Sequence, residues 1–180
     1  MYNCADVSFL DSIGRFIPEA AKTLLKEHYR CHPKIIEFCN QRFYDNQLVV
    51  LSNNTEQNPL VIHWTAPTSR ENNVNQKQIE AIAREVMPTL KTTDVGIISP
   101  YNKQCSELRK VVPNIDISTI HKFQGREKDV IIFSTVDNVL TEFSGDPQII
   151  NVAVSRAKNK FILVASKQEQ PKGSILDDLI

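Results

Sequence analysis

Residues 115–133 read IDISTIHKFQGREKDVIIF, and the organisation of the chain unfolds outward from them. Ile115-Asp116-Ile117-Ser118 alternates apolar and polar residues, the pattern of a strand with one buried face. Val130-Ile131-Ile132-Phe133 is an unbroken apolar run, as expected of a strand covered on both sides. Between the two, Thr119 to Asp129 form a polar loop rich in hydrogen-bond donors and acceptors. Gly125 gives that loop access to conformations that other residues resist.

On either side, strands and helices alternate. Leu60 to Trp64, Val95 to Ile98 and Phe161 to Val164 read as further strands. Residues 76–87 read as a helix, since Ile79, Ile82, Ala83, Val86 and Met87 recur at helical spacing, with Pro88 kinking or ending it. Ser99-Pro100 has the cap and first-turn residues of a helix running to about Val111. Asp146-Pro147 opens another, to about Ala157. Pro33 opens a helix in which Ile36, Cys39 and Phe43 share a face, with Ile35 and Phe38 beside it. Residues 50–59 and 65–75 read as polar loops. The fold class is therefore α/β, a parallel sheet with helices on both faces in three layers. In such sheets ligand groups gather at the C-terminal ends of strands. The expected organisation is one domain over 1–180. Residues 1–58 are a helical lead-in, 59–166 the α/β core, and 167–180 a frayed tail in which Ile175, Leu176 and Leu179 are docking candidates.

Composition narrows the classes. The chain has 180 residues, 41% apolar and 23% charged, an ordinary globular balance. No apolar run approaches the roughly 20 residues of a membrane span. No basic region precedes an apolar stretch at the N-terminus, so the expectation is a cytoplasmic chain without a signal peptide or membrane partner. Basic and acidic residues number 21 each, so nucleic-acid contact cannot rest on bulk charge and must be local. Cys4, Cys31, Cys39 and Cys105 show neither C-x-x-C spacing nor a companion His cluster, so buried reduced thiols are expected and no metal site.

Four polar segments stand out. In His28-Tyr29-Arg30-Cys31-His32-Pro33, Arg30 could grip phosphate and Tyr29 could stack on a base; a plain Pro-started helix explains the segment equally. In Ser99-Pro100-Tyr101-Asn102-Lys103-Gln104, a helix start could receive phosphate or simply be capped. Thr119 to Asp129 could serve a nucleotide or be a solvated connection. In Asn151-Val152-Ala153-Val154-Ser155-Arg156-Ala157-Lys158, Arg156 projects from a largely apolar helix, and its charge needs either a carboxylate or a phosphate.

The order and spacing of the four resemble superfamily 1 helicases, in the branch of the RNA-surveillance helicase and its relatives acting on DNA and RNA. Tyr29-Arg30-Cys31-His32-Pro33 looks like that branch's Tyr-Arg-Met-His-Pro signature, and Gly96 to Tyr101 with Gln104 like its motif IV. Ser118 to Asp129 is close to motif V and Asn151 to Lys158 to motif VI. The resemblance spans roughly residues 8–166 and implies the second RecA-like domain of the motor, a P-loop NTPase superfamily fold without its own P-loop. It implies ATP in a cleft between two RecA-like domains, with Arg156 as arginine finger and Arg30 beside it as the catalytic pair. Tyr29, Gln124, Gly125 and Glu127 join them in holding the nucleotide. Single-stranded DNA or RNA would meet Ser99, Pro100, Tyr101, Thr119, His121, Lys122 and Gln124. The Arg156 guanidinium is expected at the C-terminal edge of the sheet near Arg30, with Glu127 as its carboxylate partner. Movement from 5′ to 3′ is suggested by analogy alone.

Cys31 stands where the family has Met, and Ser155 where it has Thr. None of the five glycines is followed by Lys, so no G-x-x-x-x-G-K-[ST] loop is present, and no Asp-Glu pair follows an apolar strand. The resemblance implies that these parts, with the magnesium ligands, lie on an N-terminal RecA-like domain of the same protein, upstream of Met1, and that this chain alone does not hydrolyse ATP. An alternative is a non-catalytic nucleic-acid or protein interaction module that kept the helicase fold. A superfamily 2 domain is disfavoured, because its last motif has a Gln and two spaced Arg residues in a Gly-Arg-rich run.

Overall fold

The alternation of strand and helix is realised as a central parallel sheet in a computed structural model that describes residues 9–17, 23–69 and 71–169. In chain order the elements are α1 (Phe9–Phe16), β1 (Glu27–His28), α2 (Pro33–Phe43), β2 (Val49–Val50), β3 (Leu60–Thr65) and α3 (Gln76–Ala81). They continue with β4 (Val95–Ser99), α4 (Asn102–Val111), β5 (Asp116–Thr119), α5 (Ile120–Phe123), β6 (Lys128–Ser134), α6 (Pro147–Val154) and β7 (Ala157–Ser166). The five-stranded sheet has the order β3-β7-β6-β4-β5, and β1 pairs with β2 in a separate parallel ribbon.

Strand residues alternate between two cores, as the period of two requires. Ile98, Ile131, Phe133, Phe161 and Leu163 pack with α2, α5 and α6. Ile97, Val130, Ile132, Ile162 and Val164 pack with α3 and α4. Both faces are covered, so the central strands read as continuous apolar runs. Phe133 and Phe161 stack at 6.4 Å in the first core.

The connection from β5 to β6 positions the site. Only eight residues, Ile120 to Glu127, bring the chain back across the sheet for a second parallel strand. They do so by one helical turn whose Ile120 and Phe123 are buried. The Phe123 ring lies directly over β4 at Gly96: a Cβ there would come within 2.6 Å of the ring. The absence of a side chain at Gly96 is what lets so short a crossover pass.

A buried polar network ties the C-terminal end of β6 to the opposite layer. Asn75 caps α3 and is fully buried, as are Gln78 and Gln104. Gln78 Oε1 accepts from Ser134 Oγ at 2.7 Å and from the Val136 N–H at 2.9 Å, while its amide donates to Thr135 Oγ1 at 3.1 Å. Gln104 accepts from the Asn75 N–H at 2.9 Å and donates to Ser134 Oγ at 3.0 Å. Asn75 Nδ2 donates to the Val136 carbonyl at 2.8 Å. These bonds hold Val136 at φ 69°, a left-handed conformation that costs a β-branched residue energy and that its neighbours must sustain.

Several expectations are corrected. The helix after β4 starts at Asn102 with Tyr101 at its cap position, not at Ser99-Pro100. Ser99 is paired with Thr119 in the sheet and fully buried, so the ladder takes the residue that cap chemistry would have used. α6 stops at Val154 rather than Ala157, because Ala157 pairs with Lys128 and begins β7. Arg156 therefore sits in the turn after the helix, not on it. The expected loop at 119–129 contains the α5 turn, and the expected 50–59 loop begins in β2. The helix from Gln76 widens into a π turn over Ile82–Val86 and closes in a 3-10 turn over Met87–Thr89. Pro88 lacks an N–H and crowds the carbonyl four residues back, which accounts for both. Ile175, Leu176, Leu179 and Cys4 lie outside the described residues. Cys31, Cys39 and Cys105 are buried free thiols, and burial pushes Cys31 and Cys39 up to about 12. Among the described residues no helix is long and apolar enough to cross a membrane, and no His, Cys, Asp or Glu group could hold a metal.

Candidate nucleotide and nucleic-acid site

The segment before α2 is held rigidly against the entry of β7. Neutral His28, its pKa lowered by burial and then by Arg30, accepts the Cys31 N–H at Nε2 over 2.9 Å. Ser52 Oγ donates to the Cys31 carbonyl, and the His32 N–H donates to the Lys158 carbonyl at 2.7 Å. His32 Nδ1 then caps α2 by accepting from the Lys34 N–H at 3.1 Å. Cys31 Sγ lies 3.4 Å from the Ser155 carbonyl. A small thiol at this position packs the Arg30 turn directly onto the turn that carries Arg156.

The consequence is a cluster drawn from three distant segments. Arg30 Nε pairs with Glu127 Oε2 at 2.5 Å, and Arg30 Nη1 reaches the Ser155 carbonyl at 3.5 Å. Arg156 Nε donates to the Val152 carbonyl at 3.2 Å and its Nη2 to Ser155 Oγ at 3.4 Å. Both guanidinium groups thus reach Ser155, and the Arg156 pKa is lowered, first by burial and then by the Arg30 charge. Glu127 was the expected partner of Arg156, but its close ion pair is with Arg30, and Arg156 rests on a helix-end carbonyl and a hydroxyl. Two guanidinium groups thus face one carboxylate. That surplus of positive charge, with planar forked donors only part buried, suits a phosphate group.

The edge is also corrected. Glu127 immediately precedes β6 and Arg156 immediately precedes β7, with the Lys128 N–H bonded to the Arg156 carbonyl at 3.1 Å. The cluster lies at the N-terminal edge of these strands, not the C-terminal edge. The short α5 crossover and the two-residue turn after α6 carry the polar residues past the sheet to that side.

The other candidates divide by position. Ser99 and Thr119 are neighbours at the C-terminal ends of β4 and β5, both buried, with Pro100 buried beside them. Tyr101 donates from its hydroxyl to Asp137 Oδ2 at 2.8 Å, and its ring lies 5.4 Å from that of Phe143. His121, Lys122 and Gln124 are exposed on and after α5, between the two edges. Gly125 has φ 82° and open space where a side chain would be, so its need is conformational, and it turns the chain toward Glu127. Tyr29 is 64% exposed and donates to Glu27 Oε2, leaving a ring face open. Sequence reasoning missed Phe143, an exposed aromatic in the polar stretch before α6, and the Ser155 carbonyl that joins the two arginine segments.

A three-layer parallel sheet that carries these segments in this order is a RecA-like domain of the helicase type. The chain belongs to the AAA domain family, whose model matches residues 6–168. Its similarities place it in the superfamily 1 helicase branch. It is 29% identical to Helicase sen1 of Schizosaccharomyces pombe, over 87% of this chain and 12% of that protein. It is 27% identical to Regulator of nonsense transcripts 1 of Caenorhabditis elegans, over 87% of this chain and 18% of that protein. The chain thus spans less than a fifth of the length of these relatives. The fold matches the C-terminal domain of a possible DNA helicase from Lactobacillus plantarum at a TM-score of 0.56 and 17% identity, covering 84% of this chain and 94% of that one.

Proposed function

We propose that this chain is the second half of an ATP-dependent, strand-translocating helicase motor, a single domain over 1–180. The observation that supports this most is the convergence of Arg30, Glu127 and Arg156, from three separate segments of the chain, on one edge. Arg30 and Arg156 bind the terminal phosphates of ATP, and Arg156 stabilises the charge that grows as the phosphoryl group departs. Glu127 orients Arg30 and lies toward the ribose, and Tyr29 lies toward the adenine. Gly125 holds the turn that presents Glu127. The magnesium ligands and the phosphate loop belong to an N-terminal RecA-like domain of the same protein.

At the opposite edge, Ser99, Pro100, Tyr101 and Thr119, with His121 and Lys122 on the adjoining α5, meet single-stranded DNA or RNA. Gln124 lies between the edges, and α5 links them through one rigid turn. Closure on the nucleotide therefore moves the strand-binding groups as a unit with the arginines. Two measurements on the chain alone test this. It should show no magnesium-dependent ATP turnover above background. Its binding of single strands should be weak and salt-sensitive, at about 10⁻⁴–10⁻⁶ M in physiological salt, because few phosphates are neutralised. Robust turnover, or nanomolar binding that salt barely weakens, would contradict the half-motor reading.

A further inference from the structure

A cavity away from the arginine cluster shares residues with the strand-binding group. It has a volume of about 360 Å³ and lies between α5 and α6, lined by Ile120, His121, Gln124, Phe143, Ile149 and Val152, with Asp146 and Gln148 at its rim. This volume falls within the range of about 300–1,000 Å³ found for small-molecule pockets. Its floor is aliphatic. Its aromatic wall is Phe143, 47% exposed although it is a large apolar side chain. The rim offers amide and imidazole groups that can both donate and accept.

We infer that this cavity takes one unstacked base of the bound single strand, which lies against the Phe143 ring with its polar edge toward Gln124, Gln148 and His121. The inference rests on the nucleic-acid reading of the neighbouring edge. Continuity with that edge is direct, since the Phe143 ring packs on the Tyr101 ring at 5.4 Å and His121 and Gln124 line the cavity itself. Charge selects a base over a phosphate. Asp146 stands at the rim, and its Oδ1 already accepts the Gln148 and Ile149 N–H groups at 2.7 and 3.2 Å. The first turn of α6 is therefore engaged, and the adjacent carboxylate repels an anion. A flat, neutral ring with hydrogen-bonding edges fits both the apolar floor and the polar rim, and stacking on an aromatic face accepts any base.

Tyr101 acts as a positioning residue for the wall. Its hydroxyl is bound to Asp137, beside the strained Val136, so its ring is fixed where it supports Phe143. The test compares an oligothymidylate with an abasic strand of the same length, each titrated by fluorescence anisotropy into the full-length protein without nucleotide. Phe143→Ala should weaken oligothymidylate binding about tenfold, in line with the loss of one stacked base, and leave abasic binding unchanged. Phe143→Trp should restore the oligothymidylate affinity, which separates stacking from a folding defect. Equal binding of both strands by wild type and Phe143→Ala overturns the pocket and leaves the edge intact. So does an alanine variant that binds both strands normally but loses strand-stimulated ATP turnover, which would mark the cavity as a seat for the neighbouring domain. A wild-type protein that binds neither strand overturns the nucleic-acid reading, and the pocket with it.

Discussion

Arg156→Ala in the full-length protein should lower ATP turnover by about a thousandfold or more while leaving single-strand binding and the fold nearly unchanged. The size of the effect comes from where the charge sits. Arg156 is half-buried beside Arg30, and the Glu127 carboxylate that acts on it is ion-paired with Arg30, so among the described residues its field is only partly neutralised. A phosphoryl group that gains negative charge in the transition state is the complement of that field. Truncation removes two modest hydrogen bonds, to the Val152 carbonyl and to Ser155 Oγ, at about 1 kcal/mol each or less. Stability therefore changes far less than rate. Arg156→Lys should rescue little, because a point charge cannot reproduce the planar fork that spans two oxygens. Steady-state turnover with saturating single strand, beside a binding titration, separates the two effects. Normal turnover by the alanine variant would remove Arg156 from the chemistry.

The second large effect is on stability. Gln78→Leu should destabilise the chain by about 3–5 kcal/mol, as the sum of a broken buried network and an unpaired backbone donor. Gln78 is fully buried and serves Ser134, Thr135 and the Val136 N–H at once. Leucine fills similar space but leaves the Val136 N–H buried without its acceptor. It also releases a residue held at φ 69°, so the loop relaxes and Asp137 moves away from Tyr101. Chemical denaturation should show a large fall in the midpoint. An exposed control, Lys77→Leu one position away, should change stability by about 0.5 kcal/mol or less. A midpoint for Gln78→Leu equal to wild type would show that the network carries no stability.

Most of the sheet was legible because its strands are buried on both faces and its helices keep their spacing. Val130 to Phe133 and Phe161 to Val164 could hardly be anything else. What was not legible depended on pairing. Ser99 reads locally as a helix cap, but its place beside Thr119 extends β4 and pushes the helix start to Asn102. Arg156 reads as helical until Ala157 is seen paired with Lys128. The edge at which the arginines lie follows from strand direction and from the brevity of the α5 crossover, which Gly96 permits; no local pattern encodes it. Asn75, Gln78 and Gln104 look like ordinary polar helix residues, and their mutual burial joins positions far apart in sequence. The grouping of Arg30, Glu127 and Arg156 was expected from a resemblance and not from spacing. The contact with Phe143 had no sequence signal beyond an aromatic residue in a polar stretch.

In the proposed motor, Arg30 and Arg156 act together on a phosphate supplied from across a cleft. The most direct measurement is a structure of the full-length protein with ADP, aluminium fluoride, magnesium and a single strand. Both guanidinium groups should lie within hydrogen-bond reach of the fluoride group, with the Arg30–Glu127 pair opened or shared. A complex in which Arg156 still rests on the Val152 carbonyl and Arg30 on Glu127, while other residues grip the fluoride group, would contradict it.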